Sequence, residues 1–415
     1  MGSAIGRILK ALGTGVLFLI VALCLAIVIV PRFLDRIYYR GPVSSHFDGQ
    51  HFFNPDGEDT LRPPAGRSRG SFLLRFALGS DDRPPWPDHV AVTPSRPPAR
   101  VEGERMLVTW IGHATVLVQT AGLNILTDPV WSDTAGPFGF GPHRVAQPGV
   151  RFEDLPKIDL VLVSHNHYDH FDLATIQRLW KRDRPLIVTP LGNDAILRMH
   201  GIESMGLDWG DHLYNVGGRV SKDPPVFECP SGSNDCWFDA GVKYDVVVTR
   251  NHHWDSRWFT DRNRALWASF VVRTPSGNIF FAGDTGLGDG KWPAEAARYG
   301  PVRLALIPIG AFRFEPGQMG IGSHIGPIDS AKVFAGLGAS RAIGIHWGTF
   351  RLSYEAYDTP PRMLRQVMRC AGYAPGLFDT VAIGRSVEIP AYAPPAMPHP
   401  LGPDCLNSPA IRTLR

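Results

Sequence analysis

The segment SHNHYDH, residues 164–170, places His165, His167, Asp169 and His170 within six positions. It follows the apolar run DLVLVS (159–164). It precedes a stretch in which Leu173, Ile176, Leu179 and Trp180 mark one helix face, with Asp172 placed to cap it. The motif therefore sits on a strand-to-helix loop, where neighbouring side chains can converge. Imidazole nitrogen and carboxylate oxygen are ligands zinc accepts, and histidine also suits iron. Alternation puts His165 and His167 on one side to share an ion. Asp169 and His170, one step further round, face a second. A lone histidine after a strand is usually structural; this cluster constrains the whole fold, because other segments must bring it more ligands.

Three candidates follow short apolar strands elsewhere. They are His252 and His253 after DVVVTR, Asp284 in FFAGDTG, and His346 in AIGIHWGTF. Gly283 lets the backbone turn closely beside Asp284. Taken singly, each reads as a solvated or capping residue. Together with the cluster they suffice for two metal ions, and the pattern alone does not separate His252 from His253.

Strand-like runs recur at MLVTW (106–110), TVLVQ (115–119), LNILT (123–127), LWASFVVR (266–273), NIFFA (278–282), RLALIPI (303–309) and RAIGI (341–345). Residues 328–337 and 361–371 look helical. Gly (44) and Pro (37), about a fifth of the 415 residues, favour turns and short strands. No internal repeat is visible. Strands with helices interspersed predict two packed sheets covered outside by helices. The net charge of +3 is spread along the chain, with no Lys/Arg block, which argues against a nucleic-acid partner.

Residues 11–30, ALGTGVLFLIVALCLAIVIV, carry no charge. At about 1.5 Å per residue they span roughly 30 Å as a helix, the thickness of a bilayer core. A cleaved signal is the other reading, but the run is long and Pro31, Arg32 and Phe33 follow it rather than a small-residue cleavage site. Leu23 before Cys24 makes a poor lipoprotein site. A single-pass membrane anchor is expected, with its side open because Arg7 and Lys10 precede it and Arg32, Arg36 and Arg40 follow. The chain then divides into a flank (1–10), the anchor (11–30), a Pro-rich linker (31–104), one folded domain (105–390) and a Pro-rich tail (391–415) that reads as an irregular arm. Within the linker, SSHFDGQHFFNP (44–55) is aromatic enough to pack on the domain. Cys229 and Cys236 flank turn-forming residues and can close a small loop; unpaired thiols fit these cysteines, Cys370 and Cys405 equally well.

The order His-x-His-x-Asp-His, then His, Gly-Asp and His resembles the metallo-β-lactamase superfamily. TWIGHATVLVQ, LTDPVW, GPHR, SHNHYDHFD, HHWDSR, FFAGDTG, IPIGAF and IHWGTF together are similar to the N-acylphosphatidylethanolamine-hydrolysing phospholipase D family and its bacterial relatives, with an outlying match in HFDGQHFFNP. The metal motif specifies only the superfamily; IHWGTF and the strings around it are narrower. The resemblance implies an α/β fold, an αββα four-layer sandwich, with two zinc ions at one edge. His165, His167 and His253 would hold one ion and Asp169, His170 and His346 the other, with Asp284 bridging. His253 is preferred because it directly precedes Trp254, as the family's ligand precedes its Trp.

His324, in SHIGP, matches a family histidine near the metals and, with Asp169 and Asp284, completes the candidate catalytic set. Two departures stand out: residues 217–243 are longer than the family segment, and Gly326 replaces a more often polar residue. The implied activity is zinc-dependent phosphodiester hydrolysis of N-acylphosphatidylethanolamine-like phospholipid by a metal-bound hydroxide. Alternatives are a lactonase or other ester hydrolase, or a non-catalytic lipid binder. A phospholipid and a membrane are the implied partners, and a homo-oligomer is compatible with the sequence. Trp131, Phe138, Phe140, Trp254, Trp258 and Phe259, near ligands or the GPHR loop, are candidates to line an acyl-chain route, though core packing explains any one of them.

Overall fold

A computed structural model describes residues 2–34, 37–57, 83–225, 238, 241–258, 260–314, 321–394 and 401–414. One sheet contains β1 (Met106–Gly112), β2 (Thr115–Thr120), β3 (Leu123–Thr127), β4 (Leu160–Leu162), β5 (Leu186–Pro190) and β6 (Met205–Leu207). The other contains β7 (His212–Val216), β8 (Arg219–Ser221), β9 (Val242–Thr249), β10 (Ser269–Arg273), β11 (Asn278–Phe281), β12 (Val302–Pro308), β13 (Arg341–Ile345) and β14 (Phe378–Asp379). A last strand, β15 (Ser386–Glu388), returns to the first sheet. The orders are β15-β1-β2-β3-β4-β5-β6 and β14-β13-β12-β11-β10-β9-β7-β8. Both sheets are mixed. β1 to β3 pair antiparallel and β3 to β6 parallel; β9 to β11 pair antiparallel and β11 to β14 parallel.

Side-chain alternation makes the layers. Val116 and Val118 of β2 face Val246 and Val248 of β9 in the core between the sheets, as do Phe270, Phe281, Leu304 and Ile343. The intervening residues face outward. Leu117 and Val161 meet α2 (Leu173–Asp183) and α3 (Asn193–Met199) through Ile176, Leu179 and Leu197. Val247, Phe280 and Ala305 meet α4 (Trp292–Ala297), α5 (Pro327–Leu337) and α6 (Thr359–Cys370). The result is the helix–sheet–sheet–helix order expected from the metallo-β-lactamase resemblance. Asp172 caps α2, its side chain accepting from the Thr175 amide.

The N-terminal helix α1 is Gly2–Leu34. Its segment Ile5–Ile27 is long and apolar enough to cross a membrane, a test a signal sequence also passes. The aromatic stretch after it packs on the sandwich, with Phe47 and Phe52 buried against Leu266 and Trp267. The tail is less irregular than its prolines suggest. Pro403 and Pro409 open one-turn helices, where a missing amide proton costs nothing, and Ile411 is buried beside α6. Cys370 and Cys405 are joined in a disulfide. Cys229 and Cys236 lie outside the described residues, as does most of the 217–243 segment, of which Arg219–Ser221 forms β8.

Candidate metal centre

β9 and β11 both run antiparallel to β10, and β11 to β13 run parallel, so four strands of the second sheet end at one edge. The loops leaving them carry His253, Asp284 and His346. The SHNHYDH loop after β4 meets them there, with a Cβ on Gly283 blocked by the Ser164 side chain.

His165 Nε2 lies 2.8 Å from His167 Nδ1, and His253 Nε2 lies 3.4 Å from that same atom. Partners on the far side of each ring fix the protons. The Ser164 hydroxyl donates to Asp128 at 2.6 Å, so its oxygen accepts from His165 Nδ1 at 2.9 Å. His253 Nδ1 donates to the Ser323 carbonyl at 2.9 Å. Both rings therefore turn an unprotonated Nε2 towards His167. Burial keeps all three neutral, pushing His167 and His253 down to about 3 and His165 well below its usual value. Three neutral imidazoles with converging lone pairs suit a cation. His252 turns away, its Nδ1 3.0 Å from Asp56.

A second group sits alongside. His170 Nδ1 donates to Asp128 at 2.6 Å and His346 Nδ1 to the Gly310 carbonyl at 3.4 Å. Their opposite nitrogens each lie 3.0 Å from Asp284 Oδ2, and 3.4 and 3.5 Å from Asp169 Oδ2. Both nitrogens are buried without a hydrogen bond, as is Asp284 Oδ1. Close approach without hydrogen-bond alignment fits donors arranged around a cation. Asp284 also groups with His253 and His324, all donor atoms within 4.8 Å of one another. It thus reaches towards both sets. Burial opposes charge on Asp284, but His170, His346 and His324 outweigh it and hold the carboxyl well below the usual range. Against the same burial, Asp284 and Asp169 push His346 up to about 9.

Two residues join the centre that the sequence had not singled out. His113 Nε2 donates to Asp169 Oδ2 at 2.9 Å, and its ring lies 4.1 Å from that of His346. Asp128 orients both His170 and, through Ser164, His165. The strings TWIGHATVLVQ and LTDPVW contained them, but one polar residue at a strand end has no period to reveal it. The backbone does mark them. His113 (φ 54°), Asp128 (29°), Ala311 (56°) and His346 (61°) all adopt a conformation unfavourable for L-residues, and such strain collects at functional sites.

A cavity of about 250 Å³ opens over the centre, lined by His167, Asp169, Trp254, Asp284, Phe314 and His324. His324 Nδ1 is 3.7 Å from Asp284 Oδ2 and makes no hydrogen bond; burial pushes its pKa down to about 3. Of the aromatic residues expected along an acyl route, Trp254 lines the cavity. Trp131 instead packs edge-on against Phe152. Phe138 and Phe140 are exposed, Trp258 meets Phe138, and Phe259 lies outside the described residues.

A family profile described as "Beta-lactamase superfamily domain" matches residues 123–347. The chain is 33% identical over 266 residues to N-acyl-phosphatidylethanolamine-hydrolyzing phospholipase D 1 of Caenorhabditis elegans, covering 63% of this chain and 70% of that one. It is 32% identical over 269 residues to the mitochondrial N-acyl-phosphatidylethanolamine-hydrolyzing phospholipase D of Saccharomyces cerevisiae, covering 64% of this chain and 52% of that one. The isothiocyanate hydrolase from Delia radicum gut bacteria shares the fold with a TM-score of 0.50 at 20% identity, covering 69% of this chain and 100% of that one.

Proposed function

The chain belongs to the beta-lactamase superfamily and is a metal-dependent hydrolase; within that class we propose a zinc-dependent phosphodiesterase that splits N-acylphosphatidylethanolamine-like phospholipid into N-acylethanolamine and phosphatidic acid. Asp284 carries this reading, because its carboxylate lies 3.0 Å from two imidazole nitrogens of one donor group and is clustered with His253 of the other. On this reading His165, His167 and His253 would hold one ion and Asp169, His170 and His346 a second, with Asp284 available to both. Two divalent ions bound there would supply a water nucleophile at neutral pH and positive charge beside the phosphoryl oxygens.

This chain's own groups do the rest. Among these ligands only Asp169 and Asp284 are anionic, so the loaded centre stays net positive and favours an anionic diester. Either carboxylate can take the proton of the attacking water. His324, which lines the cavity and is kept neutral by burial, can relay that proton to the departing alkoxide oxygen. Trp254 and Phe314 keep the reacting groups from bulk water. Helix α1, inserted as an anchor, would hold the cleft beside its lipid.

The test is metal analysis of the purified protein, then hydrolysis of N-acylphosphatidylethanolamine, phosphatidylcholine and a small lactone, each with and without chelator. The N-acylated lipid should have the highest catalytic efficiency, and chelation should abolish its turnover. A lactone preferred by about tenfold, or about 1.4 kcal/mol of transition-state free energy, would replace the phosphodiesterase by a lactonase on the same centre.

A further inference from the structure

Residues 132–144, between β3 and β4, form a loop with a tied neck. Thr134 and His143 pair antiparallel, the Ala135 amide donates to Pro142 at 3.0 Å, and the Arg144 amide donates to Asp133 at 2.9 Å. A Cβ on Gly136 would collide with the Phe140 carbonyl, so the two sides of the neck come as close as backbone permits. The base is fixed as well. The buried Arg144 guanidinium donates to the carbonyls of Val130, Ser132 and Ala146 and lies over the Phe350 ring.

This tied loop presents two phenyl rings to solvent. Phe138 is 86% and Phe140 74% exposed, the two most exposed large hydrophobic side chains among the described residues. Such exposure is unfavourable in water, and neighbouring exposed apolar groups mark an interaction surface. The position of the loop says what it serves. Ala135, in the neck, lines the cavity over the metal centre, and Phe138 meets Trp258 edge-on at 6.5 Å.

Two further observations point to lipid as the partner. The same chain carries Ile5–Ile27, an apolar helix with none of its most hydrophobic window buried. At the cavity wall, Arg262 lies over the Trp254 ring at 4.1 Å, and Tyr168 lines the same cavity. Trp and Tyr with a cation beside them suit the boundary between acyl chains and phosphate head groups. We propose that Phe138 and Phe140 insert into the lipid interface, setting the mouth of the cavity against the bilayer so that a lipid reaches it without crossing water.

The full-length protein, carrying Cys24→Ser, Cys229→Ser and Cys236→Ser, would be reconstituted in phosphatidylcholine vesicles with an environment-sensitive fluorophore on the thiol of Phe140→Cys, or in a second preparation of Phe138→Cys. The same dye on Asp133→Cys, at the base of the neck, is the reference, and retained metal content reports folding. Insertion gives blue-shifted emission and loss of intensity with brominated acyl chains at both tip positions but not at the reference. Water-like emission at both tip positions overturns the proposal. So does dye self-quenching that rises with protein density and ignores brominated lipid, which would mean that the tip meets a second copy of the chain. No turnover is measured, so the result is independent of whether the phosphodiesterase reading holds.

Discussion

At the residue scale the centre depends on which nitrogen of each histidine is free. Asp128 sets this for two of them, accepting from His170 Nδ1 and from the Ser164 hydroxyl that in turn orients His165. Asp128→Asn can no longer accept from both at once with a full negative charge. A loss of about 10- to 100-fold in metal affinity or activity is expected, with folding retained, as for other outer partners of ligating histidines. Normal metal content and turnover would remove Asp128 from the site. Asp284→Asn should act more severely, lowering metal content and abolishing most activity; near-normal turnover would count against a bridging carboxylate. The convergence of the seven proposed ligands was legible in the sequence because four of them crowd one loop and the others each end an apolar strand. His113 and Asp128 were not, since each is a lone polar residue whose role arises only when distant strands meet. The choice of His253 over His252 came from the neighbouring Trp254. In the fold, His252 is held off the site by Asp56.

At the scale of elements, apolar runs bounded by turn residues and capped helices were the legible ones: RAIGI is β13 residue for residue, and Asp172 caps α2. Strands of two or three residues, such as β6, β8, β14 and β15, are too short to show alternation and exist because a neighbour pairs with them. The aromatic stretch before the domain does more than fill space. Asn54 donates to the His253 carbonyl at 2.8 Å and accepts from Trp267 Nε1 at 3.2 Å, tying this stretch to a proposed ligand. Asn54→Ala leaves both buried partners unsatisfied and should cost about 1–3 kcal/mol, read as a lowered melting temperature. An unchanged melting temperature would make the contact incidental. The apolar helix is separable by contrast. If α1 spans a bilayer, the full-length protein stays with membranes through an alkaline wash, and a chain starting at Phe33 does not. That shorter chain keeps residues 44–57 and should hydrolyse detergent-dispersed lipid at a comparable rate. Loss of activity with metal still bound would place part of the active site in the removed segment.

At the scale of the whole molecule, the centre lies where the two sheets meet. His165, His167, Asp169 and His170 come from the first sheet's β4–α2 loop, while His253, Asp284 and His346 end strands of the second. A cation shared between these loops would join the halves of the sandwich at one edge, where five imidazoles and two carboxylates are otherwise buried around one another. Metal should therefore stabilise the fold as well as serve the reaction. Ligand at a thousand times its dissociation constant adds about 4 kcal/mol to the native state. For a domain of about 290 residues this corresponds to a melting temperature about 7 °C higher. Calorimetry before and after chelation, with elemental analysis of both samples, measures the difference, and zinc added back should restore it. Demonstrably metal-free protein melting at the same temperature would mean that the sheets are held by their shared core alone. In that case the Val116, Val246 and Phe281 layer, rather than the ligands, fixes the relative position of the two loops.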